Sequence, residues 1–362
     1  MSKKVVVGMS GGVDSSVTAY LLKQQGYDVI GITMQIWQDD TKKECDIDDG
    51  GCCGFSAVDD ARTVCNTLDI PFYVLNFKQE FKKSVIDYFV DEYTKGLTPN
   101  PCIACNRYVK WESLLQKSLT LGADFIATGH YARVVKHPVT NRYTIKTANT
   151  DTKDQTYALY NLTQFQLEHT LMPVGDYEKD SIRKIAEEIG LTVANKPDSQ
   201  DICFVEDNDY AKFIKDNYNI QAEKGNFVDL DKNVIGEHQG IFNYTIGQRK
   251  GLGVAFGKPM YVCDINAETN EVMLGENKDL FKYEVIVKDF NYMCIEELEV
   301  GEEISVTGKL RYSQRQAPCV IKRLENGLVK AIFEEPQRAI TGGQSAVFYD
   351  DCYVVGGGII CN

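Results

Sequence analysis

Residues 3–16 read KKVVVGMSGGVDSS, in which a short apolar run leads into two glycines and a group of serines. The run at residues 3–9 predicts a β-strand, and the pattern at residues 13–25 predicts a helix that ends before Gly26. SGGVDSS (10–16) therefore joins the end of a strand to the start of a helix. Amide groups at a helix start point toward one spot, and Gly11 and Gly12 let an anion approach the backbone. The stretch predicts a phosphate-binding loop with additional hydroxyl donors from its serines.

Two common phosphate-binding loops do not fit this stretch. A Walker A loop needs a lysine after GxxxxG, and a dinucleotide-binding loop needs GxGxxG. The alternative interpretation is an ordinary capped turn, with Asp14 or Ser15 in the first helical turn. The strand before the loop and the complete SGGxDS string favour phosphate binding.

The segments that follow the loop alternate between short β-rich runs and helical patterns. Strands are predicted at residues 29–36, 72–76 and 125–128, and helices at residues 57–68, 78–95 and 109–121. Residues 96–106 predict a loop, because Pro99 and Pro101 lack a backbone donor and restrict the residues before them. The alternation predicts an α/β fold with a parallel sheet covered by helices.

The rest of the chain changes character toward its C-terminal end. A hairpin is predicted at residues 131–135 and 142–147, followed by helices at 162–169 and 179–189. The glycine-rich stretch 226–259 predicts a small, turn-rich β module, and the alternating runs of residues 282–362 predict an antiparallel barrel or sandwich. We therefore predict three domains, at residues 1–206, 207–280 and 281–362.

The composition is that of an ordinary globular protein, and the 362 residues carry a formal net charge of −13. No apolar stretch approaches the roughly 18 residues that span a bilayer, and the start lacks a signal-peptide pattern. We expect a cytoplasmic protein without a membrane segment. The 12 cysteines are scattered along the chain, which predicts thiols instead of a disulfide scaffold.

SGGVDSS resembles the PP-loop of the ATP pyrophosphatases, which cleave ATP between its α and β phosphates and activate a carbonyl oxygen as an adenylate. Seven further motifs follow in order. They are TPNPCIACNRYVKW (98–111), ATGHYAR (127–133), KDQTYALY (153–160), KPDSQDICFV (196–205), YTIGQRKGLG (244–253), LRYSQ (310–314) and TGGQSAVFYD (341–350). Together they are similar to the bacterial tRNA-specific 2-thiouridylase (MnmA) family. This resemblance implies a PP-loop α/β domain, a small central β-rich domain and a C-terminal antiparallel β-barrel.

The resemblance also implies an activity. The C2 oxygen of the wobble uridine in tRNAs for Lys, Glu and Gln is adenylated by ATP, with Mg²⁺, and sulfur then displaces AMP to give 2-thiouridine. By position, Cys203 matches the persulfide-bearing cysteine, and Cys105 matches the nucleophile that forms a transient disulfide with it. A cysteine desulfurase or a sulfur-relay protein is implied as the sulfur donor.

The binding residues implied by the resemblance fall into two groups. The nucleotide group comprises Gly8, Met9, Ser10, Gly11, Gly12, Val13, Asp14, Ser15, Met34 and Gly129. The tRNA group comprises Asn100, Pro101 and Cys102 at the target base, with His130, Lys153, Asp154, Gln155, Arg311, Tyr312 and Gln344 elsewhere.

One position departs from the family pattern. Cys102 stands where the family usually has an acidic residue, and it creates a CxxC spacing with Cys105 that can lower a thiol pKa, form a local disulfide or bind a metal. Together with the pair Cys52 and Cys53, these thiols could hold zinc or an iron–sulfur cluster. A CC pair is poor geometry for one tetrahedral ion, so no metal site is predicted. The open alternatives for the whole chain are another PP-loop enzyme and a non-catalytic tRNA-binding protein.

The negative net charge is unevenly distributed. Residues 104–150 contain seven Lys or Arg and two Asp or Glu, residues 242–259 contain three and none, and residues 309–330 contain six and one. These three basic stretches contain or adjoin most of the segments that resemble RNA contacts. The charge pattern predicts selective binding of one RNA over indiscriminate binding of polyanions.

Overall fold

The computed structural model describes residues 2–37, 55–150, 153–197, 202–205, 209–218, 220–254 and 257–361. The chain forms two compact units, each assembled from separate stretches of sequence. The first unit comprises Met1–Ile86, Cys102–Phe204 and Cys352–Val354, and the second comprises Asp87–Pro101, Val205–Asp351 and Val355–Asn362. The three-domain division stays a prediction.

A five-stranded parallel sheet forms the centre of the first unit, as the alternating pattern predicts. Its strand order is β3-β2-β1-β4-β7. The strands are β1 (Lys4–Gly8), β2 (Asp28–Gln35), β3 (Phe72–Asn76), β4 (Phe125–Ala127) and β7 (Thr170–Leu171). Because β1 has β2 on one side and β4 on the other, the order reverses beside β1, and such a switch point is where open α/β sheets bind ligands.

Helices pack on this sheet around a core in which Val5, Val7 and Val17 are fully buried. The helices of this unit are α1 (Val13–Gln24), α2 (Phe55–Thr67), α3 (Lys78–Phe81), α5 (Pro101–Ala104), α6 (Leu115–Thr120), α7 (Gln164–Glu168) and α8 (Lys179–Glu188). Wide π-helical turns continue α3 over Lys82–Ile86 and join α5 to α6 over Cys105–Leu114. The antiparallel hairpin of β5 (Ala132–Lys136) and β6 (Tyr143–Thr147) confirms the predicted hairpin.

The prediction of a loop over residues 96–106 is wrong in its second half. Helix α5 begins at Pro101, immediately after Asn100. A proline fits the first turn of a helix, because the amide hydrogen that it lacks would have no partner there and its fixed φ suits a helix. The motif that contains Cys102 and Cys105 is therefore helical.

The second unit contains two β structures, a small mixed sheet and an antiparallel barrel. The smaller is a four-stranded sheet of order β10-β11-β8-β9, in which one pair, β11 with β8, is parallel. Its strands are β8 (Gly225–Val228), β9 (Val234–His238), β10 (Tyr261–Asn266) and β11 (Glu271–Gly275). Helices α4 (Asp87–Thr94) and α9 (Tyr210–Tyr218) belong to the same unit.

The larger structure is a closed six-stranded barrel, which confirms the C-terminal prediction. Its strand order is β12-β15-β14-β13-β16-β17, and β12 pairs with β17 to close it. The strands are β12 (Phe281–Tyr292), β13 (Glu303–Lys309), β14 (Ala317–Arg323), β15 (Val329–Arg338), β16 (Ser345–Asp350) and β17 (Tyr353–Ile360). Gly356 and Gly358 allow the closure, because a Cβ at either would overlap carbonyl oxygens of β12.

Candidate active site

The phosphate loop is held in place by the neighbouring strand β2. The Met9 amide donates to the carbonyl of Ile32 over 2.8 Å, and the buried Thr33 hydroxyl donates to the carbonyl of Met9 over 2.9 Å. Gly11 has a φ of +69°, and a Cβ there would lie 2.8 Å from the Cα of Ala57. Only glycine fits this position without strain.

The start of α1 keeps its amide donors available. Gly12 precedes the helix in an extended conformation, and within the described residues no side chain caps it. The serine hydroxyls point inward instead: Ser15 Oγ and Ser16 Oγ donate to the carbonyl of Gly12 over 3.1 and 2.8 Å. The serines thus brace the loop, and the first amides of α1 remain for an anion at the positive end of the helix.

Asp14 is the charged side chain at this helix start, and it is already paired. The Lys179 ammonium donates to both carboxylate oxygens over 2.8 and 2.9 Å, and the Tyr131 hydroxyl donates to Oδ1 over 2.7 Å. Lys179 and Tyr131 were missed by the sequence reasoning. The 165 residues between Asp14 and Lys179 leave no local signal of this contact.

Met34 and Gly129 lie where the resemblance implied, at the carboxyl ends of strands. Met34 is half-buried near the end of β2, which pairs with β1. Gly129 follows β4 and packs on the loop, since a Cβ there would lie 2.7 Å from both the carbonyl carbon of Asp14 and the amide nitrogen of Ser15. The loop and the end of β4 therefore form one surface of the first unit.

The segments that carry the two cysteines of the proposed relay each pack on the helix at residues 78–86. Cys105 is half-buried where the π-helical turns begin, and these turns pack on the helix at residues 78–86. Cys203 is exposed, and the next residue, the buried Phe204, packs edge-on against Phe81 with ring centroids 5.8 Å apart. The pairing of the two thiols stays a prediction. The polar residues 198–201 before Cys203 lie outside the described residues.

A buried polar network follows Cys105 along its helix. The Asn106 amide donates to the carbonyl of Ala158 over 2.9 Å and accepts from Lys110 over 2.9 Å. Lys110 and, above all, burial hold the pKa of His130 well below its usual range. His130 packs on the buried Trp111, and its Nδ1 lies 2.7 Å from the Thr128 hydroxyl. Burial of Trp111 supports a packing role over stacking on a base.

The three residues 153–155 are largely engaged within the first unit. Asp154 accepts from the amide of Ala148 and the hydroxyl of Thr156, over 3.2 and 2.6 Å. Gln155 makes two hydrogen bonds with the backbone of Tyr131. Lys153 is half-buried beside them. Their placement as tRNA contacts stays a prediction.

In the second unit, two of the residues that resemble RNA contacts also have structural partners. One terminal nitrogen of Arg311 lies within hydrogen-bonding distance of Ile246 O, Ala339 O and Thr341 Oγ1, at 3.2, 2.9 and 2.7 Å. The Gln344 amide donates to the carbonyl of Thr98 over 2.7 Å. Thr98 lies just before Asn100 and the buried Pro101. Tyr312, by contrast, is 45% exposed.

Two further questions from the sequence concern metals and membranes. Among the residues that the structure describes, no group of three or more His, Cys, Asp or Glu could hold a metal ion. Cys52 and Cys53 lie outside those residues, so a site that includes them stays untested. In the described ranges, no helix is long and apolar enough to cross a membrane.

Comparisons with known proteins cover the whole chain. Residues 3–207 match the family described as tRNA methyl transferase HUP domain, residues 211–276 its PRC-barrel domain, and residues 282–360 the aminomethyltransferase beta-barrel domain. The tRNA-specific 2-thiouridylase MnmA of Clostridioides difficile (strain 630) is 59% identical over 99% of this chain and 98% of its own. That of Lachnoclostridium phytofermentans is 60% identical over 99% of both chains.

A solved 4-thiouridine synthetase in complex with RNA and bound ATP matches 54% of this chain and 43% of its own, at 18% identity and a TM-score of 0.31. A TM-score this low supports no conclusion about the function of this chain. The full-length sequence matches do: the chain belongs to the family of tRNA-specific 2-thiouridylases.

Proposed function

We propose that this enzyme converts the wobble uridine of tRNAs for lysine, glutamate and glutamine into 2-thiouridine, with ATP as the activating substrate and a cysteine persulfide as the sulfur carrier. The observation that carries the proposal is the phosphate loop, whose amide donors meet the end of β4. Near-complete coverage by relatives named tRNA-specific 2-thiouridylase supports the substrate.

The loop fits the phosphates of ATP on its own geometry. Gly11 turns the backbone with a positive φ, and a Cβ on Gly12 would project into space with only Ser10 Oγ near it, at 3.5 Å. The uncapped start of the 12-residue helix α1 supplies aligned amide donors. We expect these donors to hold the pyrophosphate group as it leaves, since negative charge develops there during cleavage between the α and β phosphates.

The first chemical step forms an adenylate. The C2 oxygen of the uridine attacks the α phosphorus of ATP, the bond from that phosphorus to the bridging oxygen breaks, and pyrophosphate leaves with the electron pair. This converts a poor leaving group at C2 into AMP.

The second step transfers sulfur. The terminal sulfur of a persulfide on Cys203 attacks C2 and AMP leaves. The Cys105 thiolate then attacks Cys203 Sγ, the sulfur–sulfur bond breaks, and 2-thiouridine and a Cys105–Cys203 disulfide result. An external dithiol must reduce this disulfide, and a sulfur donor must reload Cys203. The exposure of Cys203 suits it to a donor protein.

Mg²⁺ is expected to arrive with the triphosphate. Asp14 suits direct ligation poorly, because both of its oxygens already accept from Lys179. We therefore assign no Mg²⁺ ligand to Asp14. When bound, the ion would neutralise charge on the phosphates.

The test is nucleoside mass spectrometry after reaction of an unmodified tRNA transcript with ATP, Mg²⁺, a cysteine desulfurase, cysteine and dithiothreitol, the dithiol that reduces the disulfide after each turnover. We expect one 2-thiouridine and one AMP per tRNA, and a more than 100-fold loss of rate in Cys203→Ser and in Cys105→Ser. Cys263→Ser is the matched control, because Cys263 lies in β10 of the second unit. Undiminished thiolation by Cys203→Ser would contradict the persulfide relay.

Non-catalytic tRNA binding and metal binding at Cys105 would give different results. A non-catalytic tRNA-binding protein would bind the transcript without forming AMP. If anaerobically purified protein contained a stoichiometric metal cluster that is lost in Cys105→Ala, Cys105 would be a metal ligand and the relay would be wrong.

A further inference from the structure

The acidic residue at the phosphate loop is neutralised from within the fold. Asp14 is the second residue of α1, beside the amide donors, where an unpaired carboxylate would repel a phosphate. Lys179 makes an ion pair with it, and the lysine side chain is only 11% exposed. The loop therefore presents its donors without a competing negative charge as long as Asp14 keeps this ion pair.

Tyr131 is the second partner of Asp14, and it connects the loop to a distant segment. Its side chain is 2% exposed, and its hydroxyl donates to Asp14 Oδ1 over 2.7 Å. Its backbone amide donates to Gln155 Oε1 over 2.9 Å, and its carbonyl accepts from the Gln155 amide over 3.0 Å. One residue thus carries a continuous path of hydrogen bonds from Gln155 to the phosphate loop.

Close packing fixes one end of this hydrogen-bond path, and side-chain hydrogen bonds fix the other. Gly129 packs on the backbone of Asp14 and Ser15 so closely that a Cβ would be within 2.7 Å of either residue. At the other end, Asp154 accepts from Ala148 and Thr156 and so fixes the segment beside Gln155. A shift of this segment therefore has to move Tyr131 or break two hydrogen bonds.

We infer that Tyr131 is a positioning residue that couples RNA bound at residues 153–155 to nucleotide bound at the phosphate loop. The inference rests on the proposed function, in which those residues contact tRNA. It adds a device that the chemistry needs: an adenylating enzyme that holds ATP firmly only with its uridine in place does not hydrolyse ATP unproductively.

Coupling of this kind is reciprocal. If tRNA tightens ATP binding by a given factor, ATP must tighten tRNA binding by the same factor. Binding couplings typically amount to about 5- to 150-fold, and one buried hydroxyl as the link points to the lower part of that range. We expect a factor of about 10 in the wild-type enzyme.

The experiment measures the dissociation constant of α,β-methylene-ATP with Mg²⁺, by calorimetry, in the absence and presence of saturating unmodified tRNA transcript. The methylene bridge prevents cleavage, so that binding alone is observed. Tyr131→Phe removes only the hydroxyl. We expect its coupling factor to fall below 2, with the nucleotide affinity in the absence of tRNA changed less than threefold.

Tyr177→Phe is the matched control, since Tyr177 packs on the same core and is half-buried. It should keep the wild-type factor. Gln155→Met removes one of the two hydrogen bonds between Gln155 and Tyr131, and it is the second variant, should Tyr131→Phe fail to fold. Its coupling factor should also fall below that of the wild type, whatever its effect on tRNA affinity alone, because the factor is a ratio within one protein.

The outcomes separate this inference from the proposed function. If the wild type binds both ligands and Tyr131→Phe keeps a factor equal to that of Tyr177→Phe, the inference is overturned and the proposed function stands. A wild type that binds both ligands without coupling overturns it as well. A wild type that binds neither nucleotide nor tRNA refutes the proposed function, and this inference with it.

Discussion

Within the residues that the structure describes, two loops contain the same dipeptide in different settings, Gly11–Gly12 in SGG (10–12) and Gly342–Gly343 in TGG (341–343). Both loops turn through a glycine with positive φ, +69° at Gly11 and +85° at Gly343. After Gly12 a helix begins, and its first amides have no partner within the helix. After Gly343 a strand begins, and the loop's polar groups are used internally.

The second loop, residues 341–343, joins distant segments of the second unit by hydrogen bonds, and together with Arg311 it forms the clamp. The Gly342 carbonyl accepts from the amide of Thr98 over 2.9 Å, and the Gly343 amide donates to Ile360 over 3.0 Å. Arg311 reaches the same loop at Thr341. In this chain, the glycine pair before a helix start leaves backbone amides without a partner within the helix, whereas the pair before a strand forms a structural joint.

The largest effect is expected from alanine at the two positive-φ glycines. Gly11→Ala places a Cβ against Ala57 in a strained conformation, so we expect a loss of about 2–4 kcal/mol in the free energy of unfolding and a more than 100-fold loss of ATP affinity. Gly343→Ala places its Cβ 3.0 Å from the Thr98 amide. It should lower stability similarly and leave ATP affinity unchanged. Urea unfolding and calorimetry check both.

The control for strain alone is Gly26→Ala. Gly26 has a φ of +86°, and nothing lies within 4 Å of the added Cβ. Gly26→Ala should lower the free energy of unfolding by about 1–2 kcal/mol and leave ATP affinity unchanged. An equal loss of ATP affinity in Gly343→Ala would break the comparison between the two loops.

The next largest effect is expected on stability, from substitution of Arg311 in the clamp. Arg311→Met removes a donor from three acceptors, so we expect a loss of about 3 kcal/mol in the free energy of unfolding. Arg315→Met is the control, because Arg315 is exposed on the same turn. If Arg311→Met instead unfolded like wild type and only weakened tRNA binding, Arg311 would be an RNA contact and not a joint.

The sequence predicted what depends on neighbours along the chain. The strand at residues 72–76 matches β3, and the helix that ends before Gly26 matches α1 to within one residue, because both are set by local periodicity and by glycine or proline at their ends. The phosphate loop follows the same logic, since its glycines and the helix start are contiguous.

What could not be predicted depends on distant contacts or on ambiguous local signals. The pairing of Lys179 with Asp14 depends on the packing of α8 beside α1, and no spacing of residues indicates it. The internal role of Arg311 likewise depends on acceptors from two separate segments, at Ile246 and at residues 339–341. Pro101 was ambiguous, because a proline can break a helix or begin one, and here it begins one.

A smaller effect, on tRNA affinity, is expected at Tyr312, which follows Arg311 in the sequence. Tyr312 is 45% exposed, and the Lys309 ammonium lies 5.9 Å from its ring centroid. Stacking of one base on an aromatic ring contributes about 1–3 kcal/mol, so Tyr312→Ala should lower tRNA affinity about tenfold at the weaker end of that range. Tyr312→Phe should retain it. A loss of unfolding free energy like that of Arg311→Met would show that Tyr312 belongs to the joint.

The smallest expected effect is a pH dependence of the free energy of unfolding that arises in the second unit. His238 of the second unit is fully buried; its Nδ1 accepts from the Gly240 amide and its Nε2 donates to the carbonyl of Asn270, each over 3.1 Å. Burial lowers the pKa of His238, against smaller opposite effects of Asn270 and Glu237. The neutral ring is thus preferred in the folded protein, because a second proton would replace the acceptor that faces Gly240.

Stability from this residue is therefore complete above the pKa of an unfolded histidine, about 6.5, and declines as the pH falls below that value toward the folded pKa. Between pH 7.0 and 5.5 we therefore expect the free energy of unfolding to fall through His238. In His238→Gln the amide can still donate to Asn270 but cannot titrate, so the free energies of unfolding measured in urea at the two pH values should differ less than in wild type. An unchanged pH dependence in that variant would assign the effect to His130 of the first unit, whose pKa is lowered in the same direction.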